Sequence, residues 1–191
     1  MNGSALSPAE WAAGKSWFPR AVIMAWIAWT AAQVIRDAEG FTTILGGVNF
    51  GIHEFGHIAF GAFPTFLAVL GGSLMQLLVP LGAGVALFIT QRDWFALSFC
   101  GAWLAMALGD VAHYIADSRA LQMDLVSLGE DDGSSDFTGH DWNYLLGRMG
   151  HLGDDLKIAA ACRFVAGVIL LLSVLHALRL FWLMARAPKP S

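Results

Sequence analysis

The sequence predicts an all-α polytopic membrane protein, a single domain in which about five transmembrane helices form a bundle and one acidic loop lies outside the bilayer. Three observations support this fold class. Of the 191 residues, 57% are hydrophobic and only 14% are charged, whereas soluble domains average about 25% charged residues. Five segments approach the length of about 20 apolar residues that a helix needs to cross a bilayer. The one long polar stretch lies between the fourth and the fifth of these segments.

The first three predicted spans cover residues 17–35, 41–63 and 65–90. The first contains three Trp residues, the second is rich in Gly, and the third has no charged residue. Pro64 separates the second span from the third, so the turn between them is expected to be very short. Pro80 lies within the third span, where a proline frees a backbone carbonyl and bends a helix.

The last two predicted spans cover residues 94–116 and 157–186. Arg163 and Arg179 lie near the two ends of the fifth span, where long cationic side chains can reach the lipid head groups. Residues 117–156 form the expected loop, which is strongly acidic and contains a run of Gly, Asp, Glu and Ser. Such a run is typical of an exposed loop rather than of a helix.

The composition also excludes several classes of protein. With 11 Lys and Arg against 15 Asp and Glu, the net charge is −4, which disfavours binding to nucleic acid. The two Cys residues both lie in apolar segments, so a disulfide-rich secreted scaffold is excluded. The lipid bilayer is therefore the expected environment, and the chain is predicted to be an integral membrane protein.

The second span contains the sequence His53-Glu54-Phe55-Gly56-His57, an H-E-x-x-H motif. Residues four apart lie on one face of a helix, so both imidazoles can bind a single metal ion. The Glu that follows the first His is then placed to act as a general base. Titratable groups near the middle of a span are costly, which favours a functional role. We therefore expect zinc as the cofactor, His53 and His57 as ligands, and Glu54 as the catalytic base.

Other histidines and one carboxylate are candidates for the remaining metal ligands, since a catalytic zinc usually has three protein ligands. Asp110 and His113 lie in the fourth span, which crosses the bilayer in the same direction as the second. Asp110 is the expected third ligand, and His113 is the alternative, either as a ligand or as a partner of one. The loop begins on the same side of the membrane and supplies His140 and His151 as further candidates. His176 lies toward the opposite side, so it is expected to have a packing role.

An H-E-x-x-H motif in a transmembrane helix, followed by an Asp in a later span, resembles the site-2 protease family of intramembrane zinc metalloproteases. The resemblance covers about residues 41–116. It implies that His53, His57 and Asp110 bind zinc and that Glu54 activates water. It also implies that membrane-anchored proteins are the substrates. The Asp of that family normally stands in an Asn-Pro-Asp-Gly or Leu-Asp-Gly sequence, whereas this chain has Leu-Gly-Asp-Val.

Two other functions are compatible with the same residues. Glu54 and His57, like Asp110 and His113, are a carboxylate and a His three residues apart. Two such pairs on facing helices are half of a dinuclear carboxylate site, so a membrane oxidase or hydroxylase with two Fe is one alternative. The first, third and fifth spans contain no Asp or Glu to complete it. The other alternative is a non-enzymatic accessory subunit of a larger membrane complex, in which the polar cluster binds a cofactor or a structural metal and the chain contacts partner subunits.

Overall fold

The computed structural model describes residues 7–36, 43–123 and 139–187, and within these ranges the chain is helical and has no strand. A short 3-10 turn connects the last two helices. The helices are α1 (Pro8–Ala12), α2 (Phe18–Ile35), α3 (Ile44–Phe60), α4 (Thr65–Gln91), α5 (Trp94–Ala116), α6 (Asp141–Met149) and α7 (Asp155–Arg186).

In the part of the chain that the structure describes, four helical segments are long and apolar enough to cross a membrane: α2, α4, α5 and the stretch that ends with α7. Large apolar side chains are exposed along α2, α4 and α7, as expected for surfaces that face lipid rather than water. These features confirm the all-α membrane fold. Helix α3 has 17 residues, which is at the lower limit of about 17–25 for a spanning helix. The beginning of its predicted span lies outside the described residues.

The helix boundaries agree with the predicted spans to within a few residues. Pro64 is the N-cap of α4, and Pro80 lies inside that helix without ending it. Asp93 is the N-cap of α5, where its side chain accepts hydrogen bonds from two backbone N–H groups. Of the predicted acidic loop, residues 124–138 lie outside the described residues. The rest of that loop contains α6, a short amphipathic helix.

Helix α5 lies at the centre of the bundle and packs against α2, α4 and α7. Ile27, Ala102 and Leu180 from α2, α5 and α7 are completely buried and form much of the shared core. The short helix α1 packs on α7 through the buried Trp11. Helix α3 lies at the edge of the bundle, and α4 is its main neighbour.

The contact between α3 and α4 is unusually close because glycines face each other across it. A Cβ atom added at Gly56 would collide with the carbonyl oxygen of Gly71, and one at Gly71 would lie 2.6 Å from the Cβ of Phe60. Small residues allow two helix backbones to approach closely in a membrane. As a result, the side chains on this face of α3 lie directly against the backbone of α4.

Candidate metal centre

Two imidazoles and one carboxylate meet where α3, α4 and α6 come together. His53 and His57 lie one turn apart on α3, and their ring centroids are 4.8 Å apart. The Nε2 atom of His53 lies 2.9 Å from Oδ2 of Asp141, and the Nε2 atom of His57 lies 3.2 Å from the same oxygen. Asp141 is the first residue of α6 and is buried. Both imidazoles therefore point toward one carboxylate oxygen.

Glu54 completes a compact cluster with the two histidines. Within the described residues, one group of three side chains could hold a metal ion: His53, Glu54 and His57. One nitrogen or oxygen atom from each lies within 4.8 Å of the other two. His53 is buried, whereas Glu54 is partly exposed. The Glu54 carboxylate thus lies beside the two imidazoles on the more open side of the cluster.

The other ring nitrogens show which atoms are available to a metal. Nδ1 of His57 lies 3.0 Å from the carbonyl oxygen of Ala68, and Nδ1 of His53 lies 3.2 Å from Oε1 of Gln76. A carbonyl oxygen only accepts hydrogen bonds, so each Nδ1 bears a hydrogen and donates it. Nε2 of each ring faces Asp141, and a hydrogen bond to that carboxylate requires a hydrogen on Nε2. A metal would take the place of that hydrogen, because the usual metal-binding imidazole is neutral with its lone pair on Nε2.

Gly72 of α4 lies directly against both Nε2 atoms. A Cβ atom added at Gly72 would lie 2.6 Å from Nε2 of His53 and 2.6 Å from Nε2 of His57. In a tetrahedral zinc site, bond lengths of about 2.0–2.2 Å place neighbouring ligand atoms roughly 3.3–3.6 Å apart. The distances from the two Nε2 atoms to Asp141, 2.9 and 3.2 Å, are those of hydrogen bonds and lie slightly below that range. Two imidazoles and a carboxylate are also a donor set found in catalytic zinc sites, so these residues fit zinc.

Hydrogen bonds to neighbouring helices hold Asp141 in position. The hydroxyl of Tyr114 on α5 accepts the backbone N–H of Asp141 at 3.1 Å. The indole N–H of Trp142 donates to Oγ of Ser73 on α4 at 3.1 Å. The beginning of α6 is therefore tied to both α4 and α5, which fixes the carboxylate relative to α3.

The charge of Asp141 suits a metal ligand. Burial raises the pKa of this carboxyl, but the hydrogen bonds with His53 and His57 outweigh burial, so its pKa lies below the usual range. Asp141 is therefore an anion near neutral pH. An anionic carboxylate both ligates a cation and offsets part of its charge.

Asp110, the expected third ligand, has other partners. Its Oδ2 atom accepts from Nδ2 of Asn49 at 2.6 Å and from Nε2 of Gln76 at 3.4 Å. Asn49 lies one turn before His53 on α3. The Asp110 carboxylate is connected to Nδ1 of His53 through Gln76. The structure thus differs from the expectation: Asp141, and not Asp110, lies at the Nε2 atoms.

The other histidine candidates lie outside the cluster. His113 is close enough to Asp110 to interact with it electrostatically, and it does not join the group of three. His140 is buried, with Nε2 3.4 Å from Oδ2 of Asp117, while its Nδ1 accepts the N–H of Asn143 as the N-cap of α6. Burial lowers the pKa of His140. Its role here is to anchor the segment that contains Asp141.

His151 and His176 are also distant from the cluster. His151 is exposed, and its Nδ1 pairs with Asp154 at 3.1 Å. Nδ1 of His176 lies 2.8 Å from Oγ of Ser98, between α7 and α5, in accordance with the expected packing role. Among the described residues, the two carboxylate–histidine pairs of the dinuclear alternative likewise do not form one ligand group.

Asp141 is the candidate ligand that the sequence pattern did not select. It lies between the candidate His140 and a short amphipathic segment, on the side of the membrane where the other candidates were expected. These features provided a signal, because an acidic residue at the start of a helix beside a candidate His is well placed to be a ligand. The predicted loop contained nine acidic residues, and nothing in their spacing distinguished this one.

Comparisons of the chain with protein-family models, with curated proteins and with solved structures found no match. The chemistry of the site must therefore be inferred from its own residues and their geometry.

Proposed function

We propose that this chain is a multi-pass intramembrane zinc metalloprotease that cleaves membrane-anchored proteins. In this proposal His53, His57 and Asp141 bind the metal, and Glu54 is the catalytic base. The observation that supports it most directly is the approach of both Nε2 atoms to one oxygen of Asp141, at 2.9 and 3.2 Å. The absence of a side chain at Gly72 allows both Nε2 atoms to lie directly against α4.

Peptide hydrolysis requires an activated water and a route for its proton. When bound, zinc would lower the pKa of a water molecule to about 7 and would polarise a carbonyl group. Glu54 takes a proton from the attacking water as the new C–O bond forms. It then transfers that proton to the departing amine nitrogen as the C–N bond breaks. The two imidazoles and Asp141 stay fixed in position throughout.

The exposure of the site favours substrates that approach within the membrane. The side chain of His57 is 27% exposed, against 11% for His53 and 7% for Asp141. Phe55 and Ile58, on the same helix, are exposed apolar residues. A polypeptide anchored in the bilayer can thus reach Glu54 along the outer face of α3 without crossing the bundle.

The substitution Glu54→Gln tests the proposed mechanism. General-base catalysis contributes about 10²–10⁴-fold to a rate, so we expect cleavage to fall by that factor while one zinc per chain is retained. Cleavage is measured on a panel of labelled single-span proteins in vesicles that contain the purified chain, and metal content is measured by elemental analysis. Glu10→Gln in α1 is the matched control and should cleave like the wild type.

Several outcomes would contradict the proposal. Cleavage by Glu54→Gln at the wild-type rate would exclude Glu54 as the base. Two irons per chain would favour the oxidase alternative, and a wild-type protein without metal would favour the accessory subunit.

A further inference from the structure

A chain of four hydrogen bonds lies on the Nδ1 side of His53. The indole Nε1 of Trp103 donates to Oδ1 of Asn49 at 2.8 Å, and Nδ2 of Asn49 donates to Oδ2 of Asp110 at 2.6 Å. Nε2 of Gln76 donates to the same carboxylate oxygen at 3.4 Å. Oε1 of Gln76 lies 3.2 Å from Nδ1 of His53. Residues from α3, α4 and α5 are thus joined to one of the two imidazoles.

The chemistry of the end groups fixes the direction of every bond in this chain. An indole N–H only donates and a carboxylate only accepts. Asn49 must therefore present its oxygen to Trp103 and its amide nitrogen to Asp110. Because Asp110 also accepts from Gln76, the oxygen of the Gln76 amide faces His53. Nδ1 of His53 then bears a hydrogen, which leaves Nε2, on the side of Asp141, as the nitrogen that a metal would bind.

His53 differs from His57 in how its tautomer is determined. The Nδ1 partner of His57 is the backbone carbonyl of Ala68, which is an acceptor whatever the side chains do. The partner of His53 is a side-chain amide that can turn either its oxygen or its nitrogen toward the ring. Gln76 and Asn49 are only 6% and 1% exposed, so water cannot replace a missing bond. The orientation of Gln76 consequently depends on Asp110.

We propose that Asp110 and Gln76 are positioning residues that fix the tautomer and ring orientation of His53 and thereby raise the affinity of the centre for zinc. The inference rests on the proposed function, because it assumes that His53 is a zinc ligand. Neither residue touches the metal or the substrate in this scheme. Partners of this kind typically change metal affinity by about 10–100-fold.

The zinc affinity of Gln76→Met tests whether Gln76 positions His53. Methionine keeps the length of the side chain and removes both hydrogen bonds, so we expect the Kd for zinc to rise about 10–100-fold. The full-length protein in detergent is titrated with zinc against a chromophoric chelator. Gln91→Met, at the exposed end of the same helix, is the matched control and should leave the Kd unchanged. An unchanged Kd for Gln76→Met would overturn the proposal.

Variants of Asp110 test whether it acts through Gln76. Asp110→Ala should weaken zinc binding about tenfold, whereas Asp110→Asn, which keeps an oxygen to accept from Gln76, should stay within about threefold of the wild type. In the Gln76→Met background, Asp110→Ala should cause no further loss, because its effect already depends on Gln76. Fully additive losses would show that Asp110 acts independently of Gln76 and would overturn the proposal.

The failure of this inference is distinguishable from the failure of the proposed function. If the wild type binds zinc and His53→Ala does not, while Gln76→Met and Asp110→Ala bind it normally, only the positioning role of Asp110 and Gln76 is overturned. If Glu54→Gln still cleaves, the proposed mechanism is overturned, whereas the positioning role is not affected. Thermal unfolding in excess chelator reports folding without metal, and the two Asp110 variants decide the test if Gln76→Met does not fold.

Discussion

Two regions of the bundle hold imidazoles between apolar helices, and their surroundings differ. On α7, His176 lies 2.8 Å from the hydroxyl of Ser98 and beside the ring of Trp94. On α3, an oxygen atom lies beside each ring nitrogen of His53 and of His57, and both rings contact the carboxylate of Asp141. The hydrogen-bond partner of His176 is thus a neutral hydroxyl, whereas His53 and His57 both point toward the anionic carboxylate of Asp141.

This difference is the reason why we propose a function for the region on α3. One hydrogen bond to a neutral partner is enough for an isolated polar side chain between helices, and it requires no buried charge. A carboxylate and two imidazoles at one point impose a desolvation cost that packing alone does not require. Such arrangements persist where a cation or a reaction uses them. We therefore expect the two regions to respond differently to substitution.

The largest effect is expected from removing a ligand. His53→Ala should weaken zinc binding more than about 100-fold, because even residues outside the ligand set typically change affinity 10–100-fold. Asp141→Ala should have a similar effect. His176→Ala is the matched control and should keep the zinc content of the wild type after gel filtration. Loss of zinc in the control, or its retention in both ligand variants, would remove the distinction between the two regions.

A smaller effect is expected from filling the space beside the imidazoles. Gly72→Ala places a Cβ atom 2.6 Å from both Nε2 atoms. Overpacking typically costs about 1–3 kcal/mol, so the zinc affinity should fall by roughly 5–150-fold. Gly82→Ala in the same helix, where a Cβ atom meets nothing within 4 Å, is the matched control. Equal affinities for the two variants would mean that the ion does not bind beside Gly72.

The smallest effect is expected at the attachment of α6. Trp142→Phe removes the indole N–H that donates to Ser73, and a hydrogen bond of this kind contributes about 0.5–1.5 kcal/mol. Thermal unfolding should show a small loss of stability, and the zinc affinity should change less than about tenfold. Trp26→Phe, on an exposed face of α2, should leave both quantities unchanged. A loss of zinc as large as that of a ligand variant would contradict this order.

The sequence predicted the helices well, because the length of an apolar segment determines whether it can cross a bilayer. It also predicted the cluster on α3, since residues four apart in a helix must share a face. His53 and His57 accordingly lie side by side. The short helix α1 was not predicted, although its Ser7 and Glu10 form a capping box.

The carboxylate could not be assigned in the same way. Asp110 lies in a span, where a buried carboxylate requires hydrogen-bond donors or a cation. Its hydrogen-bond donors are the side-chain amides of Asn49 and Gln76. Both amides were visible in the sequence, but which acid each would bind depends on the rotation of α3, α4 and α5 relative to one another. Asp141 is 88 residues from His53, and no local pattern specifies a contact over that separation.

That separation has a consequence for how the protein is made. Chain synthesis proceeds at about 5–20 residues per second, so the 88 residues between His53 and Asp141 correspond to roughly 4–18 s. During this interval the nascent chain already has both imidazoles but not yet their acidic partner. The cluster is completed only after the ribosome has translated the segment beyond α5, which makes its assembly a late step in biogenesis.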